Sequence, residues 1–176
     1  MKHIITFAGS NSKNSINKEL AVYASSLVED VEVTVLDLND FELPIYGIDH
    51  EVAHGIPENV YKFLEHIKSS DGIIISLAEH NGAYTTAFKN LFDWLSRAEQ
   101  KTFLGKPMLL MATSPGGRGG QSVLDIAGDR FPRHDASIVA KFSLPSFGTN
   151  FQDGSIVNED LKAQLLNEIE AFKTSL

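Results

Sequence analysis

The residues best suited to chemistry lie in three loops, of which the first spans residues 9–17. It reads Gly-Ser-Asn-Ser-Lys-Asn-Ser-Ile-Asn and leads from an apolar run into a helical pattern. Backbone N–H groups at a helix N-terminus, together with the helix macrodipole and nearby hydroxyl and amide side chains, suit an anion such as a phosphate. Ser15 also suits the N-cap of an ordinary helix. From this loop alone, phosphate binding and a plain turn remain two open alternatives.

The second and third loops each follow a later apolar run. Residues 78–86 read Ala-Glu-His-Asn-Gly-Ala-Tyr-Thr-Thr, and residues 114–120 read Ser-Pro-Gly-Gly-Arg-Gly-Gly. The glycines of the third loop let backbone approach a planar ligand closely and leave N–H groups free to bind it. Taken singly, the third loop is explained at least as well as a mobile surface loop that requires positive φ angles.

The elements that must position these loops alternate between strands and helices. Aliphatic and β-branched runs predict strands at residues 4–8, 31–36, 72–77, 107–113 and 137–142. Apolar residues at i, i+3 and i+4 spacing predict helices at residues 17–28, 57–69, 86–97, 121–130 and 159–174. This alternation predicts an α/β fold, a doubly wound five-stranded parallel sheet with helices on both faces. In such a fold the three loops converge at the carboxyl edge of the sheet, where ligands bind.

The bulk properties of the chain limit its class. With 176 residues, 43% of them hydrophobic, we expect one domain covering residues 1–176. No apolar run has the length of a membrane span, and Met1-Lys2-His3 leads into a strand-like run without a signal-peptide pattern, so we expect no membrane partner and a cytoplasmic location. The net charge of −8 argues against nucleic acid as a partner, because binding phosphates requires a basic face.

Several kinds of chemistry lack candidates in this sequence. The chain has no cysteine, which excludes disulfides, thiolate catalysis and Cys-based metal sites. His50 and His54 are four positions apart but lie in an apparent loop without an H-E-x-x-H pattern, so we predict no metal site. No G-x-S-x-G, G-x-G-x-x-G or G-x-x-x-x-G-K-[ST] motif is present. Trp94 is interpreted as packing or a subunit contact, and Arg97 as a charge placed to suit the helix dipole.

In order along the chain, four motifs resemble those of the NAD(P)H-dependent FMN reductase family, which includes quinone, chromate and azo-dye reductases. They are G-S-x-x-x-x-S-x-N from Gly9, E-x-N-G-x-Y from Glu79, K-N-x-x-D-W-L-S-R from Lys89 and S-P-G-G-x-G-G from Ser114. Residues 43–49 also resemble the family's L-P-x-Y-x-x-D stretch. The resemblance extends to about residue 121 and depends on the joint occurrence of the motifs in this order.

The resemblance implies a flavodoxin-like fold that binds FMN non-covalently, with NADPH or NADH as the electron donor. The phosphate would lie in the first loop, and the isoalloxazine ring between residues 79–84 and residues 114–120. The cofactor-binding residues that it implies are Ser10, Ser12, Lys13, Ser15, Ile16, Asn17, Glu79, His80, Asn81, Gly82, Ala83, Tyr84, Ser114, Pro115, Gly116, Gly117 and Gly119. No side chain receives a catalytic role, because the flavin carries the chemistry and the protein positions it.

The sequence departs from the family pattern in all three loops. The third loop lacks the arginine that often follows its glycines, although Arg118 lies inside it. The first loop lacks the arginine usual near the phosphate, and Lys13 offers only a point charge in its place. His80 stands where the family usually has an aromatic residue after Pro-Glu. An imidazole there is a candidate modulator of the flavin, but we favour the simpler alternative that its ring covers part of the cofactor site.

The resemblance implies an enzyme in which hydride passes from nicotinamide to flavin N5 and electrons then reach a small acceptor in a ping-pong cycle. The acceptor would be a flavin, a quinone, an azo or nitro compound, or a metal oxyanion. One alternative is a flavodoxin-type electron carrier that binds FMN without oxidising nicotinamide, which the acidic charge also suits. Another is a doubly wound domain without flavin. By analogy with the family we expect a homodimer or homotetramer, with residues 41–46 and Trp94 as candidate contacts.

Overall fold

Ten of the sixteen helices and strands follow the alternation expected from the sequence. The computed structural model describes residues 1–176. In chain order the elements are β1 (Lys2–Gly9), α1 (Ile16–Ser26), β2 (Val31–Leu36), α2 (Ile48–His54), α3 (Glu58–Ser69), β3 (Gly72–Leu77), β4 (Glu79–His80), β5 (Ala83–Tyr84), α4 (Thr86–Ala98), β6 (Pro107–Thr113), α5 (Gln121–Arg130), β7 (Ser137–Leu144), α6 (Phe147–Asn150), β8 (Phe151–Gln152), β9 (Ser155–Ile156) and α7 (Glu159–Ser175).

The central sheet has five strands in the order β2-β1-β3-β6-β7, and every neighbouring pair is parallel. From β1 the chain steps to one edge at β2 and then returns to β3 on the other side of β1. The strand order therefore reverses between β1 and β3, which is the switch point of a flavodoxin-like sheet. The predicted fold class is confirmed.

Helices cover both faces of the sheet, and each face has its own apolar core. Helices α1 and α7 pack on one face through residues such as Leu20 and Phe172. Helices α3, α4 and α5 pack on the other through residues such as Phe63 and Trp94. Because β3 is buried along its whole length, it reads as a continuous apolar run with no alternation. None of the helices combines the length and apolar character needed to span a bilayer.

The structure contains short elements that the sequence patterns did not predict. Residues 48–54, interpreted as a loop, form helix α2, so that interpretation was wrong. This helix has no buried residue, and therefore shows no apolar periodicity that a core would impose. Helix α6 and the β4–β5 and β8–β9 hairpins were also not predicted, because two-residue strands and a single helical turn are too short to carry a pattern.

Candidate functional site

The carboxyl ends of β1, β3 and β6 open into one cleft of about 190 Å³. All three loops line it, as the topology predicts. The lining residues are Ser10, Ser12, Asn14, Ser15, Ile16, Asn17, Ala78, Glu79, His80, Thr113, Ser114 and Pro115. The predicted site residues outside this lining are Lys13, Asn81, Gly82, Ala83, Tyr84, Gly116, Gly117 and Gly119. Asn14, Ala78 and Thr113 were missed. Ala78 and Thr113 lie at the ends of predicted strands and Asn14 lies within the first loop, and these positions would have indicated them.

The first loop presents unpaired backbone donors. Ser15 is the N-cap of α1, and its Oγ accepts a hydrogen bond from the N–H of Lys18 at 3.2 Å. The N–H groups of the four residues at positions 14–17 have no acceptor within the protein. Ser10 Oγ accepts from the N–H of Ser12 at 3.1 Å, which leaves its own hydrogen free to be donated. The loop therefore offers several donors to an anion in the cleft.

Asn17 supports the site through its side chain. Its amide is buried, with Nδ2 donating to Thr113 O at 3.1 Å and Oδ1 accepting from Thr113 N at 3.0 Å. The same Oδ1 accepts a hydrogen bond from Ser76 Oγ at 2.7 Å. The side chain thus makes three hydrogen bonds to the ends of β3 and β6. The backbone N–H of Asn17 has no acceptor within the protein and is available to a ligand.

The second loop is a tight hairpin. Asn81 and Gly82 have φ angles of 52° and 74°, the left-handed pair that a type I′ turn requires, and Asn-Gly is the preferred sequence for it. Glu79 pairs with Tyr84 across the hairpin, and His80 pairs with Ala83. Because cross-strand partners lie on the same side, these two pairs face opposite ways.

One face of the hairpin contacts the rest of the protein, and the other face lies at the cleft. Glu79 Oε2 accepts from the N–H of Val123 at 2.9 Å, which ties the hairpin to the first turn of α5. Tyr84 packs its ring parallel to that of Phe131, with centroids 6.1 Å apart. These side chains therefore anchor the hairpin to the protein, while the exposed side chain of His80 lies at the cleft.

Tyr84 carries an unusual hydroxyl group. Its OH is buried and has no hydrogen-bond partner. Burial raises the pKa of Tyr84 to about 12, because the charged form would lose its hydration. The phenol thus stays protonated near neutral pH.

The third loop is fixed against β7 at Gly119, whereas the N–H groups of residues 116–118 remain unpaired. Gly119 and Gly120 have φ angles of 57° and 73°, and a Cβ on Gly119 would come within 2.9 Å of the backbone N of Pro145. Ser143 Oγ donates to Gly119 O at 2.9 Å, which fixes the loop against β7. The N–H groups of residues 116–118 have no acceptor within the protein. Because only glycine tolerates the positive φ angles and the close contacts at Gly119 and Gly120, these contacts explain the second glycine pair of the S-P-G-G-x-G-G motif.

Charge around the first loop is partly neutralised. Lys18 forms an ion pair with Asp37, and this contact lowers the pKa of the Asp37 carboxyl group. Lys13 is exposed, forms no ion pair and lies in a groove that continues from the cleft along α1. It is therefore the cation left free at this end of the site.

The segment after β2 is fastened to α4. Arg97 donates two hydrogen bonds to the carboxylate of Glu51, at 2.9 and 3.2 Å, and these lower the pKa of Glu51. Arg97 also lies in the last turn of α4, as its interpretation through the helix dipole requires, and the ion pair is a second role that the sequence did not indicate. Trp94 is fully buried and donates its Nε1–H to Pro44 O at 2.8 Å, so its role is packing within the chain.

Possible metal ligands are few. His50 and His54 lie one turn apart on α2, with ring centroids separated by 4.6 Å. No group of three or more His, Asp or Glu side chains is arranged to hold a metal ion.

The sheet order defines a flavodoxin-like domain, and the cleft at its switch point is lined by unpaired backbone N–H donors. Residues 2–147 match the model of the NADPH-dependent FMN reductase family, and the chain belongs to that family. The family resemblance inferred from the motifs is thereby confirmed, and the family is described as NADPH-dependent FMN reductases.

The relatives include proteins named as quinone reductases and as an azoreductase. The chain is 32% identical to a quinone reductase of Escherichia coli (strain K12) over 118 residues, which are 66% of this chain and 62% of that protein. It is 30% identical to an NADPH azoreductase of Bacillus sp. (strain OY1-2) over 152 residues, or 86% of this chain and 82% of that one. The alignment thus spans less than two thirds of the quinone reductase.

Among solved structures, the chain resembles FerB, a flavoenzyme NAD(P)H:(acceptor) oxidoreductase from Paracoccus denitrificans. The TM-score is 0.77 at 25% identity, with 99% of this chain and 96% of that chain covered. The similarity therefore includes the elements after residue 147, which the family model does not reach.

Proposed function

We propose that this chain is an FMN-dependent NAD(P)H oxidoreductase that passes electrons from a reduced nicotinamide to a small acceptor. The observation that carries the proposal is the set of four unpaired N–H groups at residues 14–17, in a cleft that all three loops line at the β1/β3 switch point. Family membership supports the same function, and so do relatives named as quinone and azo-dye reductases.

The residues present fit FMN. A phosphate at the first loop would be held by the N–H groups of residues 14–17 and the hydroxyl groups of Ser10 and Ser12. The loss of the usual arginine leaves Lys13 as the nearby cation. Residues 114–117 and His80 would border the ring, and the open space at Gly116 and Gly117 leaves room for a planar group.

The protein's own work is positioning and electrostatics. Bound FMN supplies the redox chemistry, accepting two electrons from the nicotinamide and passing them on in a second half-reaction. Residues 116–118 offer N–H donors where negative charge on a ligand would be stabilised. Asn17 holds the first loop in place, Glu79 the second and Ser143 the third. The N–H donors of the first and third loops are therefore preorganised.

One mixing experiment separates a reductase from an electron carrier. Purified protein loaded with FMN is mixed with NADPH or NADH without oxygen, and the flavin absorbance is followed. Rapid bleaching is expected of a reductase, whereas persistence of the oxidised spectrum would favour the carrier. Steady-state assays should then give parallel double-reciprocal lines, the signature of a ping-pong cycle, and intersecting lines would contradict a shared face for donor and acceptor.

The expected homodimer or homotetramer stays a prediction, as does the cytoplasmic location. Trp94 is excluded as a contact by its complete burial. Residues 41–46 still offer surface, since Ile45 is 71% exposed. Light scattering coupled to size-exclusion chromatography measures the mass directly, and a monomer mass would overturn this expectation.

A further inference from the structure

A second groove, of about 660 Å³, lies beside the cofactor cleft. Residues 38–45, which follow β2, form one wall, and residues 85–91 at the start of α4 form the other. His80 is the sole residue that lines both the groove and the 190 Å³ cleft. A molecule in the groove and a cofactor in the cleft would therefore meet at His80.

The outer wall of this groove is held in a fixed position. Asn90 on α4 donates its Nδ2–H to Pro44 O at 3.0 Å and accepts from the N–H of Tyr46 at 2.8 Å. Asn59 on α3 donates to Glu42 O at 3.0 Å. The groove is thus preformed by bonds to two helices of the domain.

The lining has a distinct chemical character. Leu38, Phe41, Leu43 and Ile45 provide apolar surface suited to a flat ring. Glu42 is the only carboxylate, and no lysine or arginine lines the groove. The Glu42 side chain forms no ion pair or hydrogen bond, so its negative charge in the groove is uncompensated.

We propose that this groove receives the electron acceptor and that Glu42 is a specificity-determining residue that selects neutral planar acceptors over anionic ones. The inference rests on the proposed reductase function. An anionic acceptor would approach an unpaired carboxylate in a chain whose net charge is already −8, and both effects raise the free energy of the complex. A neutral ring gains the apolar contact without that repulsion.

The overall reaction for a quinone balances without any further reagent. NAD(P)H loses a hydride and becomes NAD(P)+. The quinone gains the two electrons and that hydrogen, together with one proton from solvent, and becomes a hydroquinone.

The test compares a naphthoquinone with its sulfonated analogue as acceptors for the FMN-loaded protein at saturating NADPH and low ionic strength. The wild-type protein should show a higher kcat/KM for the neutral quinone. Glu42→Gln should raise kcat/KM for the sulfonate by about threefold to tenfold and change that for the neutral quinone by less than about twofold. Glu170→Gln, the same change of charge on α7 across the sheet, is the matched control and should leave the ratio unchanged.

A second variant tests the same idea by addition of charge. Ile45→Lys places a cation on an exposed position of the groove and should raise kcat/KM for the sulfonate. Val52→Lys adds the same charge on α2, at a position 78% exposed that does not line the groove, and should have no such effect. A wild-type preference for the sulfonate, or a ratio that neither groove variant changes more than its control, would overturn the inference. Failure of NADPH to reduce the bound flavin would instead contradict the proposed function.

Discussion

The side chain of Asn17 pairs with the backbone of Thr113 in both directions, donating to its carbonyl oxygen at 3.1 Å and accepting from its N–H at 3.0 Å. Ser76 adds a third bond, so that one buried amide joins the first turn of α1 to the ends of β3 and β6. The first loop, with its unpaired N–H groups, is therefore mechanically tied to the strand that carries the third loop.

Replacing Asn17 by Asp should weaken both folding and FMN binding. A carboxylate cannot donate to Thr113 O and would face that carbonyl at close range, in a position where only about 2% of the residue is exposed. We expect a loss of about 2–4 kcal/mol in the free energy of unfolding, because a buried charge is left poorly paired. FMN affinity should fall by at least about tenfold, since the adjacent N–H groups shift.

Urea unfolding of the apoprotein and fluorescence titration with FMN measure the two effects of Asn17→Asp. Ser76→Ala is the graded control, because it removes only one of the three bonds and should cost about 1 kcal/mol. If Asn17→Asp binds FMN as tightly as the wild type, the amide does not position the phosphate loop.

The glycine at position 119 should not tolerate a side chain. Its φ of 57° is strained for other residues, and an added Cβ would meet Ser143 Oγ and come within 3.0 Å of the carbonyl carbon of Leu144. Gly119→Ala should therefore lower the free energy of unfolding by about 2 kcal/mol or more. At Gly117 a Cβ would meet nothing nearer than Ser146 Oγ at 4.0 Å, so Gly117→Ala should leave stability within about 0.5 kcal/mol. Equal stabilities of the two variants would show that the third loop adjusts freely.

Much of the fold could be predicted because its central strands are buried on both faces. Strands β3 and β6 appear as continuous aliphatic runs, and the predicted bounds of both agree with the structure. The position of the site also followed from topology, since the carboxyl ends of parallel strands share one edge.

The directions of side chains in the site could not be predicted in the same way. Glu79 and Tyr84 belong to a motif that resembles a cofactor loop. In the hairpin, however, Tyr84 packs against Phe131 outside the cleft, and Glu79 Oε2 at the cleft wall accepts from the N–H of Val123. Helix α2 was not predicted for a related reason. Its contact with α4 joins Glu51 to Arg97, which are 46 positions apart in the sequence. Such long-range pairs leave no local pattern.

The ion pair between Glu51 and Arg97 should make stability depend on acid pH. The Arg97 guanidinium lowers the pKa of Glu51 below its ordinary value of 4.5. The carboxylate therefore contributes stability above pH 4.5, and that contribution is lost as the pH falls through the lowered pKa. Urea midpoints measured from neutral pH to about pH 3 should fall more steeply for the wild type than for Glu51→Gln. Parallel curves would mean that the pair contributes nothing to folding.

Removing the hydroxyl group of Tyr84 should not destabilise the protein near neutral pH. The OH is buried without a partner, so Tyr84→Phe should be neutral or stabilising by up to about 1 kcal/mol. Because burial raises the pKa of Tyr84 to about 12 from 10.0, the wild type should lose stability as the pH rises from 10 toward 12, and Tyr84→Phe should lose less. Thermal unfolding across this range checks both claims. A clear loss of stability in Tyr84→Phe at pH 7 would reveal a partner for the hydroxyl group.

Substitution at His80 distinguishes two roles of its side chain, a ring that only covers part of the cofactor site and an imidazole that modulates the flavin. The imidazole lies exposed at the junction of the cleft and the larger groove and forms no hydrogen bond. If it covers the cofactor only by its ring, His80→Tyr should keep FMN affinity within about threefold, whereas His80→Ala should weaken it by about tenfold through lost aromatic contact. The midpoint potential of the bound flavin should then stay within about 30 mV in His80→Tyr, which corresponds to about 1.4 kcal/mol for a two-electron couple. A larger shift of the potential, with affinity retained, would show instead that the imidazole acts on the flavin electronically.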